Sequence, residues 1–271
     1  MKFEGIYTPA ITPLHDDQSI DWDGFAAVLE SLISAGVHGI IIGGTTGEYY
    51  AHSAEERMQT LVKAKEIVGT RLPLIGGTGA LRTEESIGYA EAAKAAGYDA
   101  ILVATPPYSQ PTPRENALHA LRVDRAVDLP IMLYNYPGRM AAEMSEEYLD
   151  RVGRSPNFCA IKESSGDINR VHLLARDYPH IQLSCGMDDQ ALEFFVWAIH
   201  PVTRPSTQGH STTRSPHRLN RPLKSSLTYP IRAFVVARIR KRDTRSYQKN
   251  IFFSCDCLYK KSVVPRSCMT S

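Results

Sequence analysis

Seven short apolar runs rich in β-branched residues alternate with helical patterns through the first 200 residues. The runs predict strands over residues 5–12, 39–43, 72–77, 100–105, 130–135, 158–162 and 181–185. Apolar positions at helical spacing predict helices over residues 22–35, 54–68, 84–96, 114–127, 145–152, 168–178 and 189–199. Strands that alternate with helices in this way pair in parallel through right-handed crossovers. Either a (β/α)₈ barrel or an open doubly wound sheet satisfies the pattern.

Local signals place several helix ends. Hydroxyl side chains precede acidic first turns, which predicts N-caps at Ser53, Thr83 and Ser145. Glycines follow the last apolar position of three helices and predict their ends, at Gly36, Gly69 and Gly97.

Polar residues at the carboxyl ends of the predicted strands favour the barrel. Such residues follow or end six of the seven runs: Thr45, Thr46, Thr78, Thr105, Tyr108, Tyr134, Lys162 and Asp188. The mouth of one barrel would gather them into a single pocket, as it does in enzymes of this architecture.

Lys162 is the most informative of these residues because it ends a short apolar strand. A buried ammonium without a partner is costly, so a lysine in a dry site loses its proton more readily and becomes a nucleophile for Schiff-base chemistry. Taken alone, a strand-end lysine more often extends its amine to water. The glycine-rich turn at residues 43–48 and the polar segment at residues 134–139 favour the catalytic interpretation.

Charge divides the chain near residue 200. Residues 201–271 hold 15 Lys and Arg against 2 Asp and Glu, a net charge of about +13; the first 200 residues hold 16 against 27, about −11. The tail is rich in Ser, Thr, Pro and Arg, and its best strand candidate is residues 231–239. We therefore expect residues 1–200 to form a barrel incomplete after its seventh βα unit. Residues 201–271 are expected to be mostly irregular, with the composition of a shifted reading frame or an inserted foreign segment.

The composition and the missing motifs argue against several classes of protein and site. No apolar run reaches the ~18 residues that span a bilayer, no secretion signal is recognisable, and we expect a cytoplasmic protein. The five cysteines lack CxxC or Cys/His ligand spacing, so neither a disulfide scaffold nor a zinc site is expected. The turn at residues 43–47 lacks GxGxxG and the P-loop lysine, which argues against a nucleotide site.

Five motifs together resemble a known family, the pyruvate-dependent class I aldolases that include dihydrodipicolinate synthase and N-acetylneuraminate lyase. The matching segments are Gly44-Thr45-Thr46-Gly47-Glu48, Gly77-Thr78-Gly79, Thr105-Pro106-Pro107-Tyr108, Tyr134-Asn135-Tyr136-Pro137-Gly138-Arg139 and Ile161-Lys162-Glu163. The resemblance covers about residues 5–197 and is closest to the dihydrodipicolinate synthase branch. It implies a (β/α)₈ barrel, a homotetramer, small-molecule substrates, and neither cofactor nor metal.

The resemblance also implies roles for individual residues. Lys162 would form an imine with the ketone of pyruvate, and Tyr134 would transfer protons. Thr45 would connect Tyr134 to Tyr108, which in the family comes from a neighbouring subunit. Thr45 and Thr46 would hold the pyruvate carboxylate, and Arg139 would bind the carboxylate of the second substrate.

Several alternatives stay open. Pro107, Tyr136 and Gly138 are unusual in their motifs, so the acceptor is aspartate semialdehyde as the leading hypothesis or the aldehyde of another 2-keto acid aldolase or dehydratase. The altered tail makes activity doubtful, and an inactive remnant of an enzyme is a further possibility. The positive charge of residues 201–271 also permits a polyanion-binding protein, although no nucleic-acid module is recognisable.

Overall fold

The computed structural model describes residues 2–199. Seven strands lie within them: β1 (Tyr7–Pro9), β2 (Gly39–Ile42), β3 (Leu74–Gly77), β4 (Ala100–Ala104), β5 (Ile131–Asn135), β6 (Phe158–Glu163) and β7 (Gln182–Cys185). The helices are α1 (Trp22–Ser34), α2 (Ala54–Val68), α3 (Thr83–Ala95), α4 (Pro113–Val127), α5 (Pro137–Met140), α6 (Glu146–Val152), α7 (Ile168–Asp177) and α8 (Ala191–Ile199). All seven predicted strands and all seven predicted helices are present, with end positions that differ by a few residues.

The order of the strands decides between the two predicted architectures. All neighbours pair in parallel, and the order in the sheet is the order in the chain, from β1 to β7. A doubly wound sheet reverses its strand order at a switch point, whereas a (β/α)₈ barrel does not. The described residues therefore form the first seven units of a barrel whose sheet curls on itself.

The two ends of the curled sheet meet through one side chain. The backbone N–H of Phe3, just before β1, donates to Gln182 Oε1 at 3.0 Å, and Gln182 Nε2 donates back to the Phe3 carbonyl. Gln182 is the first residue of β7, 179 positions further along the chain. A side-chain amide carries the same donor and acceptor as a peptide, so Gln182 stands in for one peptide unit between β1 and β7.

Apolar side chains fill both faces of the sheet. Outward-facing residues such as Ile40, Val103 and Ile161 pack against the helices in one large cluster. Inward-facing residues such as Ile41 and Leu102 form a second cluster inside the curled sheet. Because both faces are buried, the strands are nearly continuous apolar runs, as expected for a parallel sheet.

Most of the predicted helix ends are confirmed. Ser53 and Ser145 cap α2 and α6, and Ser53 forms a full capping box with Glu56. Gly36, Gly69 and Gly97 all have positive φ where helices end. The predicted cap at Thr83 is wrong: helix α3 begins at Thr83 itself, after Arg82, and the Thr83 hydroxyl instead contacts His119 Nδ1 at 3.0 Å.

Two further differences concern short segments. Strand β1 ends at Pro9 rather than at residue 12, and the Thr12 hydroxyl donates to the Gly47 carbonyl at 3.1 Å. Helix α5, a single turn, was not predicted. The predicted irregular tail over residues 201–271, including the strand candidate at residues 231–239, lies outside the described residues.

We predict that Gln182→Ala lowers the free energy of unfolding by about 1–2 kcal/mol, because it removes two hydrogen bonds that join β7 to the segment before β1. Urea unfolding of the full chain measures the change. Gln59→Ala is the matched control, because Gln59 is exposed on α2 and its side chain bonds, within residues 2–199, only to Glu55 of the same helix. Equal effects of the two substitutions would contradict this role for Gln182.

Candidate active site

Lys162 lies near the carboxyl end of β6 and is 6% exposed. In the sheet it is the register partner of Tyr134 on β5 and of Ser184 on β7. Register partners on parallel strands point to the same face, here the interior of the curled sheet. The Lys162 Nζ lies 4.4 Å from the centroid of the Tyr134 ring. The two residues that the sequence singled out for catalysis are therefore in contact.

The environment changes the acidity of both groups. Burial lowers the pKa of Lys162 to about 8, and the negative charge of Asp188 opposes this change. Burial raises the pKa of Tyr134 to about 12, while the hydroxyls of Thr45 and Ser164 act in the opposite direction. Near neutral pH the amine is therefore far easier to deprotonate than an exposed lysine, and the phenol keeps its proton.

Two hydroxyls near Tyr134 are buried without a hydrogen-bond partner among the described residues. They are Thr45 Oγ1 and Ser164 Oγ. Both side chains lower the pKa of Tyr134, but neither hydroxyl meets the geometry of a hydrogen bond to its phenol. Buried polar atoms in folded proteins are nearly always hydrogen-bonded to protein or water. The pair is therefore suited to accept or donate a hydrogen bond to a polar ligand beside Lys162.

Close backbone contact positions the turn that carries Thr45. Gly43 has a positive φ of 68° and leads from β2 into the 3₁₀ turn Thr45–Gly47. A Cβ on Gly77, at the end of β3, would lie 2.2 Å from the Gly43 carbonyl oxygen. Only glycine fits at position 77, so the ends of β2 and β3 approach closely and bring the turn over the sheet interior.

Arg139 lies on the single-turn helix α5, at the edge of this pocket. Its Cζ is 5.4 Å from the ring centroid of Tyr136, and the Tyr136 side chain raises the pKa of Arg139. The Tyr136 ring is in turn 5.8 Å from the Tyr134 ring. Arg139 is exposed, so it presents a cation to solvent beside Tyr136.

The remaining predicted residues have other surroundings. Thr46 is half-buried in the turn beside Thr45. Tyr108 is 89% exposed and has a positive φ of 70°, so its side chain is almost fully accessible to solvent within one chain. Thr78 and Thr105 were expected in the pocket, but their hydroxyls make structural bonds, to the Leu102 carbonyl and from Asn116 Nδ2.

The sequence analysis assigned no role to two buried polar residues on the outer face of the sheet. Asn135 and Glu163 each follow a predicted catalytic residue and are buried on the opposite face of the sheet, where they hydrogen-bond to each other. A polar residue next to Tyr134 and another next to Lys162, both within apolar strands, were the available signal.

A separate small cavity lies beside Arg57 on α2. The Arg57 guanidinium is buried, 3.5 Å from the Tyr89 ring centroid and 4.8 Å from that of Tyr49, and donates to the Gly77 carbonyl at 3.5 Å. None of the predicted site residues lines this cavity. Arg57 therefore supports the end of β3 rather than the Lys162 pocket.

The described residues contain neither a candidate metal site nor a candidate membrane span. No group of three or more His, Cys, Asp or Glu side chains there could hold a metal ion. Among residues 2–199, no helix is both long and apolar enough to cross a membrane.

Comparison with known proteins gives a consistent result. The profile of the Dihydrodipicolinate synthetase family matches residues 2–203. The 4-hydroxy-tetrahydrodipicolinate synthase of Cellvibrio japonicus is 36% identical over 194 residues, which cover 71% of this chain and 67% of that protein.

Solved structures agree in fold. The 4-hydroxy-tetrahydrodipicolinate synthase of Methylacidiphilum fumariolicum SolV is 32% identical with a TM-score of 0.70, over 73% of this chain and 66% of that one. The chloride-inhibited dihydrodipicolinate synthase of Acinetobacter baumannii, complexed with pyruvate, is 34% identical with a TM-score of 0.68, over 72% and 67%. The chain thus matches about two thirds of the length of these relatives.

We predict that Lys162 reacts with amine reagents at lower pH than exposed lysines do. Only the neutral amine is nucleophilic, so its labelling should be half-maximal at about pH 8, whereas the reference pKa of a lysine is ~10.4. Peptide mass mapping after brief labelling across a pH series gives the profile, with exposed Lys94 as the internal control. Parallel profiles for the two lysines would contradict the dry site.

Proposed function

The chain belongs to the dihydrodipicolinate synthetase family, and we propose that its Lys162 pocket binds pyruvate covalently as an imine and condenses it with an aldehyde. The observation that carries the proposal is the buried Lys162 amine packed against the Tyr134 ring. The pyruvate-bound relative from Acinetobacter baumannii supports the choice of keto acid.

The first step is attack of the neutral Lys162 amine on the ketone carbon of pyruvate. The carbon–nitrogen bond forms as the carbonyl π electrons move to oxygen, which takes up a proton. Loss of water from this carbinolamine then gives the protonated imine. A lysine whose pKa is lowered by burial supplies the neutral amine near physiological pH without a separate base.

Tyr134 is suited to the proton transfers. Its raised pKa keeps the phenol protonated, so it can donate to the departing oxygen and accept a proton back in a later step. Removal of a methyl proton from the imine gives an enamine, whose carbon attacks the aldehyde. Water then hydrolyses the product imine and releases the Lys162 amine.

Substrate carboxylates need separate anchors. We assign the carboxylate of pyruvate to Thr45 and Thr46, and the buried Thr45 hydroxyl, which has no hydrogen-bond partner among the described residues, supports this choice. We assign the carboxylate of the second substrate to Arg139, and its exposed guanidinium beside Tyr136 supports that role.

Tyr108 can take part in the proposed reaction only if the protein forms an oligomer. Its side chain is almost fully exposed, and its left-handed backbone is uncommon for a tyrosine. Both features support a phenol that enters the site of a second copy, where it would extend the proton path from Thr45. A homotetramer, as the family resemblance implies, would provide such a neighbour.

The names of the relatives favour aspartate semialdehyde as the acceptor, because they are 4-hydroxy-tetrahydrodipicolinate synthases. Tyr136, which is unusual in its motif, contacts both the Tyr134 ring and Arg139, so another aldehyde of a 2-keto acid aldolase or dehydratase is the alternative.

We predict that borohydride reduction in the presence of pyruvate attaches the keto acid to Lys162. The reduced imine is stable, so peptide mass mapping locates the adduct. Lys162→Arg, which keeps the charge but removes the nucleophile, should lose it. An adduct on another lysine, or equal labelling of the Lys162→Arg protein, would overturn the assignment.

We also predict that the full chain condenses pyruvate with aldehydes far more slowly than complete family members. The described residues provide seven strands, and we expect the basic tail to supply no eighth, so the Lys162 pocket would be open to water on one side. A coupled assay beside a complete family member measures the rate. Cooperative melting together with an ordinary aldolase rate would contradict this expectation.

A further inference from the structure

Glu163 directly follows Lys162 but faces the helices instead of the pocket. Its side chain is 1% exposed and accepts four hydrogen bonds. Asn135 Nδ2 donates to Oε1 at 3.0 Å and to Oε2 at 2.8 Å. The Ser165 backbone N–H donates to Oε1 at 2.7 Å, and Arg170 Nε donates to Oε2 at 3.1 Å. The carboxylate is therefore a junction between β5, β6, the loop after β6 and helix α7.

The same network reaches the segment that carries Arg139. Asn135 Oδ1 accepts the Met144 N–H at 3.0 Å, and Arg170 Nη2 donates to the Met144 carbonyl at 2.8 Å. Arg170 Nη1 also pairs with Glu143 at 2.6 Å. The carboxyl end of the segment 136–144 is thus connected, through hydrogen bonds of Asn135 and Arg170, to the Glu163 carboxylate on the outer face of the sheet.

The position of the network in the sheet connects it to the reacting groups. Asn135 and Glu163 are register partners, immediately after the pair Tyr134 and Lys162. Successive residues of a strand point to opposite faces, so a cross-link on the outer face restricts the pair on the inner face. Small displacements matter at such a site, because an error of 1 Å can cost about 100-fold in rate.

We propose that Glu163 is a positioning residue, which through Asn135 holds the Lys162 amine and the Tyr134 phenol in reacting geometry. The proposal rests on the proposed function, because it concerns the same imine. It assigns no contact between Glu163 and substrate. Arg170 neutralises the buried carboxylate, while its bonds to Met144 and Glu143 hold the segment 136–144 and have no part in the proposed positioning of Lys162.

Four variants separate this role from ordinary stabilisation. Asn135→Ala removes the cross-link. Glu163→Gln keeps an oxygen that accepts from Asn135 but places an amide N–H donor opposite the Arg170 Nε–H donor. Arg170→Met leaves the buried carboxylate without a positive charge beside it. The double variant Glu163→Gln with Arg170→Met removes both conflicts and retains the cross-link. Asn169→Ala and Arg176→Met are matched controls, because both residues are exposed on α7.

Labelling of Lys162 in the full chain provides the readout. One arm traps pyruvate with borohydride, and the other traps formaldehyde, a small neutral carbonyl, with cyanoborohydride. Both are followed by mass mapping at a temperature where every variant compared is folded, and unfolding midpoints are measured separately.

We expect Asn135→Ala and each single change at Glu163 or Arg170 to slow labelling of Lys162 by on the order of 10- to 100-fold. The double variant should recover most of the wild-type rate, and the two controls should match wild type. A loss of stability alone would not produce this pattern. Should Asn135→Ala not fold, the comparison of Glu163→Gln with the double variant decides.

Wild-type labelling rates in folded Asn135→Ala protein would overturn the proposal, as would a double variant that folds but does not recover. Wild-type protein that traps formaldehyde at Lys162 but not pyruvate would instead reject the proposed function. The positioning role would then be decided by the formaldehyde arm alone.

Discussion

The burial of one amine at the carboxyl end of β6 is the constraint on which the site depends. A lysine with its Nζ 4.4 Å from an aromatic ring and almost no exposure must lose part of its affinity for a proton. That loss follows from the burial of the amine, and the curled sheet provides this burial. The sequential parallel order of seven strands provides the curl, and the apolar inner cluster fills the space below the amine.

The same curl leaves a structural problem at the two sheet ends. Strand edges that do not meet expose peptide groups, which natural sheets pair or cover. Here the Gln182 amide spans from β7 to the backbone of Phe3 at the amino end of the sheet. The bridge lies opposite the carboxyl end where Lys162 is placed, so it can hold the curl without entering the pocket. The Gln182 bridge does not, however, close the gap between β1 and β7 at the carboxyl end of the sheet, beside Lys162.

The sequence predicts the elements well because each strand and helix carries its own pattern. Ser53, Ser145 and the three glycines at helix ends act within their own helices. Contacts elsewhere in the fold therefore leave these helix ends unchanged. Thr83 fails as a cap because a tertiary contact with His119 takes its hydroxyl. Lys162 and Tyr134 were found from their positions at strand ends and from the family motifs. Gln182, Asn135 and Glu163 were not assigned roles, because their partners lie on other strands or elements and only the register reveals them.

The alternation of side chains along β6 explains how a buried carboxylate and a lysine of lowered pKa can be neighbours in sequence. Had Glu163 shared the inner face with Lys162, the two would form an ion pair, and the ammonium would be favoured. Because the period of a strand is two residues, Glu163 instead faces α7, where Arg170 neutralises it. The strand thus separates an inner face that disfavours charge from an outer face where charges are paired. The cross-link between Asn135 and Glu163 lies one position beyond the inner pair Tyr134 and Lys162, so one strand pairing aligns both the outer and the inner pair.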